Sequence, residues 1–269
     1  MPLPFLDAAR RPAVIAMLHV PALPGTARSV LSVPELIDHV LAEAAVYQAH
    51  GVDALLLENM HDVPYLKADV GHEVTACLTA VACAVARAAA VPVGVQVLAG
   101  ANQAALAVAV GASLAFVRVE GFVFGHVADE GWLDACAGPL LRERRRLGAD
   151  HVAVLADIKK KHAAHAPTAD VSLAETAAAA AFAGADGVIV TGVSTGAATA
   201  PDDLVAVRGA TDLPVLVGSG VTAANVHRYA DADAVIVGSD LKAGGHWAQP
   251  VEAARVAAFM ARARALRSG

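Results

Sequence analysis

Short apolar runs recur along this chain at a near-regular interval, and each is followed by a window that reads as helix. The runs are Val14–Val20, Ala54–Asn59, Val93–Leu98, Phe116–Glu120, Ala153–Ile158, Gly187–Gly192, Val215–Gly220 and Ala234–Ser239. The helical windows are Val33–His50, Glu73–Ala90, Asn102–Gly111, Glu130–Leu147, Ser172–Ala183, Pro201–Gly209, Ala223–Tyr229 and Pro250–Arg267. Strands that alternate with helices pair in parallel through right-handed crossovers, and strands covered on both faces read as continuous apolar runs. An open doubly wound sheet is the competing arrangement. Eight regular units, with no Gly-x-Gly-x-x-Gly after the first strand, favour closure instead. The expected fold is an α/β chain forming a single-domain (β/α)8 TIM barrel over residues 1–269, with 1–12 as an N-terminal extension.

The punctuation agrees with this frame. Gly51-Val-Asp53, Gly111-Ala112, Gly148-Ala-Asp150 and Gly184-Ala-Asp-Gly187 each stand between a helix and the next strand, where glycine closes a helix in the left-handed region. Pro92 and Pro214 sit at strand entrances, where no ladder donor is lost. Ser32 with Glu35, and Ser172 with Glu175, have the spacing of capping boxes.

Composition narrows the class of partner. Apolar residues make up 57% and charged residues 17%, enough for a large core. No apolar stretch has the 18 or so residues of a spanning helix, and the basic residues Arg10 and Arg11 follow the short apolar start, opposite to a secretory signal. A cytoplasmic location is the default expectation. A net charge of −6 argues against nucleic acid as a partner, and Arg142–Arg146 reads as a solvated helix face. Cys77, Cys83 and Cys136 have no metal or disulfide spacing and are expected to be reduced, buried thiols. Alanine-rich outer helices such as Glu73–Ala90 lead to the expectation of a homo-oligomer.

The last two strands carry the clearest ligand signal. Leu213–Val221 and Ala234–Lys242 each run from apolar residues into Gly-Ser. Glycine lets backbone N–H groups approach an anion because no Cβ intervenes, and TIM barrels commonly bind phosphate in the loops after strands seven and eight. Gly218, Ser219, Gly220, Gly238 and Ser239 are therefore candidate phosphate-binding residues, with Lys242 as a candidate added charge. The bland alternative is that these glycines only permit tight turns.

Polar residues gather at the C-terminal ends of the strands, where barrel enzymes build their sites. They include His19, Glu58, Asn59, Gln96, Arg118, Glu120, Asp157, Lys159 and Thr191. Period-two alternation places Asp157 with Lys159 on one face and Arg118 with Glu120 on one face, and sends Glu58 and Asn59 in opposite directions. Glu58, Asp157, Lys159, Arg118 and His19 are the candidate catalytic residues. The carboxylates would serve as acid and base, with Arg118 and Lys159 stabilising a developing oxyanion. A Schiff base at Lys159 is a minor alternative, because nothing in the sequence marks that lysine as desolvated. His19 has a competing reading as a hydrogen-bonded core or loop histidine. Asn59, Gln96 and Thr191 are candidate ligand contacts. No cofactor is implied with certainty. Mg²⁺ on Glu58 and Asp157, with His19 as a further candidate ligand, is favoured over zinc, because Mg²⁺ needs only one or two carboxylates plus phosphate oxygens. Zinc spacings such as His-Glu-x-x-His are absent from the sequence. His126 and His162 are the loop histidines kept as candidates.

Several segments, taken in order, resemble the motifs of the BtpA family. They are Met17 with His19–Gly25, Glu58–Tyr65, Pro92–Leu98, Ala156–His162, Val190–Gly192 with Thr195-Gly196, Val217–Asn225 and Ile236–Lys242. Gln96 stands where the family pattern has asparagine, which keeps the amide and lengthens its reach. The resemblance spans nearly the whole chain. It implies a barrel similar to the ribulose-phosphate-binding type and leaves the reaction open. Two functions follow as expectations. The first is an enzyme acting on a phosphorylated sugar or nucleotide-like small molecule by isomerase, lyase or hydrolase chemistry. The second, carried by the family's name, is a non-enzymatic assembly or stability factor for a photosystem I-type membrane complex. Charged groups on several strand ends favour the enzyme.

Overall fold

The computed structural model describes residues 3–6, 11–160, 162–192 and 199–267. Lys161, the pair Thr195-Gly196 and parts of the N-terminal extension lie outside the described residues. Eight parallel strands form the barrel. They are β1 (Ala13–His19), β2 (Ala54–Glu58), β3 (Val93–Gln96), β4 (Phe116–Val119), β5 (Ala153–Ile158), β6 (Gly187–Val190), β7 (Val215–Gly218) and β8 (Ala234–Val237). Each pairs with its sequence neighbours, and β8 closes on β1 through Ala13↔Ala234 to Ala16↔Val237. Outside lie α1 (Val33–Ala49), α2 (His72–Ala88), α3 (Asn102–Gly111), α4 (Ala137–Arg146), α5 (Leu173–Phe182), α6 (Pro201–Arg208) and α7 (Ala253–Arg267). The chain is a single-domain TIM barrel.

Strand parity divides the interior into two apolar layers. Val14, Ala16, Leu18, Leu55, Leu57, Val117 and Val119 pack outward against the helices. Ile15, Met17, Leu56, Phe116, Leu155, Ile189, Leu216 and Ile236 form a separate cluster in the lumen. Leu3 and Phe5 join that inner cluster, with the Phe5 and Phe116 rings 5.0 Å apart. The described part of the extension is thus an apolar plug continuous with the barrel core. Carried one step further, the same parity sends His19, Glu58, Gln96, Arg118 and Asp157 inward.

The capping boxes form as read. Glu35 accepts from the Ser32 N–H at 2.8 Å. Ser172 Oγ accepts from the Glu175 N–H at 3.1 Å while Glu175 accepts from the Ser172 N–H at 2.7 Å. Two helical windows are corrected. In the window Glu130–Leu147 only Ala137–Arg146 is helical, because Gly131–Leu133 pairs antiparallel with His126–Ala128. Gly131 turns that hairpin at φ +104°, and alternation across Gly-Trp-Leu suits a ribbon better than a helix. The seventh window, Ala223–Tyr229, holds only a 3₁₀ turn at Val226–Tyr229. Its start is tied down instead by Asn225, whose Oδ1 accepts from the Thr222 N–H at 2.7 Å.

Gly94 on β3 seats the largest lumen residue. A Cβ there would lie 2.3 Å from the Phe116 ring, with ring and glycine both inside the strand layer. Gly94→Ala is expected to destabilise the fold by about 1–3 kcal/mol, the usual cost of overpacking a tight core. Urea unfolding checks this, and an unchanged midpoint would contradict the seat.

Candidate functional site

The mouth at the C-terminal strand ends holds two adjoining cavities. The first, about 190 Å³, is lined by His19, Glu58 and Arg118 together with Ser219, Gly220, Gly238 and Ser239. The second, about 250 Å³, is lined by Gln96, Glu120, Lys160 and His162 among others. Glu58, Met60 and Trp247 border both. The ladder itself aligns part of this set, because His19, Glu58 and Gln96 are register partners across β1, β2 and β3.

Arg118 and Asp157 project from β4 and β5 and are both buried. Arg118 Nε donates to Asp157 Oδ1 at 3.0 Å and Oδ2 at 3.2 Å, and Nη2 donates to Oδ2 at 2.9 Å. Burial alone would pull the Arg118 pKa down. The Asp157 charge and hydrogen bonds outweigh it, so the net shift is upward and the guanidinium stays charged. Both Asp157 oxygens thus accept from Arg118, and the acid, base or metal-ligand role expected of Asp157 stays a proposal.

His19 is fixed through Nδ1, 3.2 Å from the Trp247 carbonyl oxygen, and its Nε2 lies 3.6 Å from Glu58 Oε2. Gly238 makes room for that ring, since a Cβ there would lie 3.1 Å from His19 Cε1 and Nε2. The histidine is therefore both packed and aimed at the cavity, next to the glycine of the eighth strand.

Lys159 is a correction. Its φ is +46°, which breaks the strand alternation after β5. Its Nζ then donates to the Thr168 carbonyl at 3.1 Å, and it lines a smaller pocket of about 10 Å³ with Asp157 and Lys160 rather than either larger cavity. The lysine that enters is Lys160, buried, with Nζ 3.1 Å from Glu120 Oε2. Asn59 is a second. Leu98 N–H donates to its Oδ1 at 2.7 Å and its Nδ2 donates to Asp62 Oδ2 at 2.9 Å, while Asp62 Oδ1 accepts from the Leu23 N–H at 2.8 Å. Asn59 thus braces the loops after β1, β2 and β3 against one another. Burial raises the pKa of Asp62. Lys242 is turned away from the cradle as well. It is buried against Glu43 of α1, with Nζ 3.1 and 3.2 Å from the two carboxylate oxygens. Burial lowers its pKa and Glu43 opposes that shift. Thr191 ends β6 with Oγ1 3.4 Å from the Lys159 carbonyl oxygen.

The glycine loops follow the adjacent strands β7 and β8 and both line the first cavity. Ser219 is held at φ +114° and Gly220 at +67°. Asn225 Nδ2 donates to the Gly220 carbonyl at 2.8 Å. The Asp240 carboxylate accepts from the Ala223 N–H and from Arg255 Nη2, each at 2.9 Å. Asn225, Asp240 and Arg255 thus fix the two loops relative to each other. Asn225 and Asp240 lie within quoted motifs and Arg255 does not, and nothing in the spacing marks any of the three as a brace. Trp247 escaped the sequence reading too, as a loop residue without motif spacing. It packs 5.0 Å from the His61 ring and 5.8 Å from the His246 ring.

His126 of the hairpin is buried beside His165, their rings 5.5 Å apart. Burial and the neighbouring Lys160 push it down to about 4, and burial with Lys242 does the same to His61, also to about 4. Both depart from an ordinary value of 6.5.

The sequence matches the BtpA family over residues 10–265. An uncharacterized mitochondrial protein of Caenorhabditis elegans is 45% identical over 255 residues, covering 93% of this chain and 92% of that one. The photosystem I biogenesis protein BtpA of Synechocystis is 34% identical over 249 residues, covering 92% and 86%. Among solved structures, thiamine phosphate pyrophosphorylase from Pyrococcus furiosus aligns with a TM-score of 0.62 at 10% identity, covering 97% and 99%. Phosphoribosyl anthranilate isomerase from Thermus thermophilus aligns with a TM-score of 0.59 at 15% identity, covering 94% and 99%. At those identities the structural likeness is one of fold.

Two outcomes follow from the buried groups. Asp157→Ala leaves Arg118 buried without its partner and is expected to cost about 3–5 kcal/mol, while replacing both residues by apolar ones costs less. Denaturant unfolding of the single and double variants measures this, and equal losses would contradict a tight pair. For His61 and His126 the unfolded chain binds a proton near 6.5 and the folded chain only near 4. Stability should be full above 6.5 and fall as pH drops through that window. His126→Gln should make the fall shallower, and an identical pH profile would contradict the assignment.

Proposed function

This chain belongs to the BtpA family, and from that membership and its mouth geometry we propose that it is an enzyme acting on a phosphorylated sugar or nucleotide-like small molecule. The observation that carries the reading is a single cavity lined both by the two glycine loops and by His19, Glu58 and Arg118. The phosphate would lie on the backbone N–H groups of Gly218–Gly220 and Gly238–Ser239, where close approach is open. With its phosphate anchored there, the substrate's reacting end would meet Glu58.

Arg118, held flat by Asp157, is placed to stabilise negative charge that develops on a substrate oxygen. Glu58 beside His19 is the acid–base candidate, and proton transfer between such groups and a substrate is the chemistry shared by isomerases, lyases and hydrolases. If Mg²⁺ takes part, Glu58 and Asp157 together with phosphate oxygens are the ligand set. The similar folds are named for phosphorylated compounds, thiamine phosphate and phosphoribosyl anthranilate, which supports the reading by analogy of fold.

The Synechocystis relative supports the other reading, an assembly factor for a membrane complex. No helix among the described residues is long and apolar enough to cross a membrane. A cytoplasmic location stays part of the proposal, and the nematode relative is named mitochondrial. The homo-oligomer is a proposal as well. α2 turns Val74, Leu78, Val81 and Val85 inward, and the exposed apolar residues of the outer helices include Phe182 and Val205 on α5 and α6.

The test is an unbiased metabolite screen by mass spectrometry on the purified protein, with and without Mg²⁺. Turnover of a phosphorylated compound is expected, with Glu58→Gln lowering it on the order of 100-fold and Lys159→Ala leaving it near wild type. In calorimetry Gly238→Val should abolish binding of that compound. His19→Asn removes the ring that a residue 238 side chain would strike, and should retain binding. Full activity in Glu58→Gln would remove the proposed site, and no turnover of any phosphorylated metabolite would favour the assembly factor.

A further inference from the structure

The second cavity is not accounted for by phosphate binding. Gln96 sits at its base, buried, with Oε1 lacking any hydrogen-bond partner among the described residues. A buried carbonyl oxygen without a donor is uncommon in native structures and calls for an explanation. Neighbouring groups do not supply the donor. Glu58, its register partner, is an acceptor when ionised, and Lys160 Nζ donates to Glu120 and makes no hydrogen bond to Oε1.

The chemistry of the walls narrows what could supply it. Among the described residues the cavity carries four carboxylates, Glu58, Glu120, Asp129 and Glu130, against one lysine and one histidine. A second phosphate or carboxylate on the ligand would face that excess of negative charge in a partly desolvated space, where like charges repel strongly. Trp247, Tyr65 and Met60 add apolar and aromatic surface, which favours an organic cation or an amine-bearing group over a hydrated metal ion.

We propose that this cavity binds the non-phosphorylated end of the substrate, that this end presents N–H donors on a neutral or cationic amine-type group, and that the Gln96 carbonyl accepts from it. The proposal rests on the phosphate reading for the other end of the ligand and adds the substrate class. It makes Gln96 a specificity residue rather than a catalytic one. It also gives a physical role to the wall between the two cavities, where Glu58 touches both ends of one bound molecule.

Calorimetry on the intact protein tests it with inorganic phosphate and a matched series of glucosamine 6-phosphate, glucose 6-phosphate and 6-phosphogluconate. These carry respectively an amine, only hydroxyls, and a second anion at the end away from the phosphate. The amine is expected to bind tighter than the hydroxyl compound by about ten-fold or more, the scale of a hydrogen bond to a charged group, and the second anion to bind weakest. Gln96→Leu should erase the preference for the amine while leaving inorganic phosphate affinity unchanged. Equal affinities across the series in the wild type overturn the proposal whether or not the variant folds, and so does a Gln96→Leu protein that keeps the ranking. In both cases retained phosphate binding leaves the cradle standing. If inorganic phosphate and all three compounds fail to bind, the cradle reading fails and this one falls with it.

Discussion

Arg118 and Asp157 stand on adjacent strands inside a closed barrel and meet through three N–H···O contacts of 2.9–3.2 Å. Burying either charge alone would be prohibitive, and the pair is tolerable because the guanidinium fork matches the carboxylate. That pairing lets a fixed positive charge sit at the floor of the mouth, above a lumen otherwise filled by Ile15, Met17, Leu56, Phe116, Leu155 and Ile236. The rest of the site is arranged around it. Glu58 and Glu120 both add to the upward shift of Arg118, so they lie within its field. The glycine loops open on the same cavity.

The loops owe their positions to polar braces rather than to apolar packing. Asn59 with Asp62 links the loops after β1, β2 and β3. Asn102 does the same for Glu120, its Nδ2 donating to the Glu120 carbonyl at 2.7 Å. Asn225, Asp240 and Arg255 hold the two glycine loops. A buried amide or carboxylate that satisfies backbone groups on two loops fixes their spacing, and a barrel mouth built from separate loops needs such groups. Side chains that make up the family-like motifs therefore divide into two kinds, those facing the cavity and those that hold it in shape.

The fold was legible because periodicity, glycine punctuation and length all pointed to one architecture, and each barrel strand lies within or overlaps its apolar run. The inward set His19, Glu58, Gln96, Arg118 and Asp157 was legible for the same reason, since alternation along a strand is a backbone property. What the sequence hid were departures from regular backbone and pairings over long sequence distance. Lys159 was misplaced because its left-handed φ moves the next residue, Lys160, into the mouth. The pairing of Asp157 with Arg118 is hidden because the partner lies on another strand. Gly131–Leu133 falls inside the helical window Glu130–Leu147, because a three-residue strand is too short to separate from a helix start by sequence alone. Lys242 looked like a phosphate contact by position and is instead buried against Glu43, 199 residues away.

The central claim is that the mouth binds a phosphorylated ligand with its phosphate on the two glycine loops. The most direct measurement is a ¹H–¹⁵N correlation titration with inorganic phosphate, following every backbone amide. The account predicts saturable shifts that are largest at Gly220, Ser239 and their neighbours, with side-chain Nε of Arg118 responding less. Shifts confined to surface lysines and arginines, or none in the two loops, would contradict it.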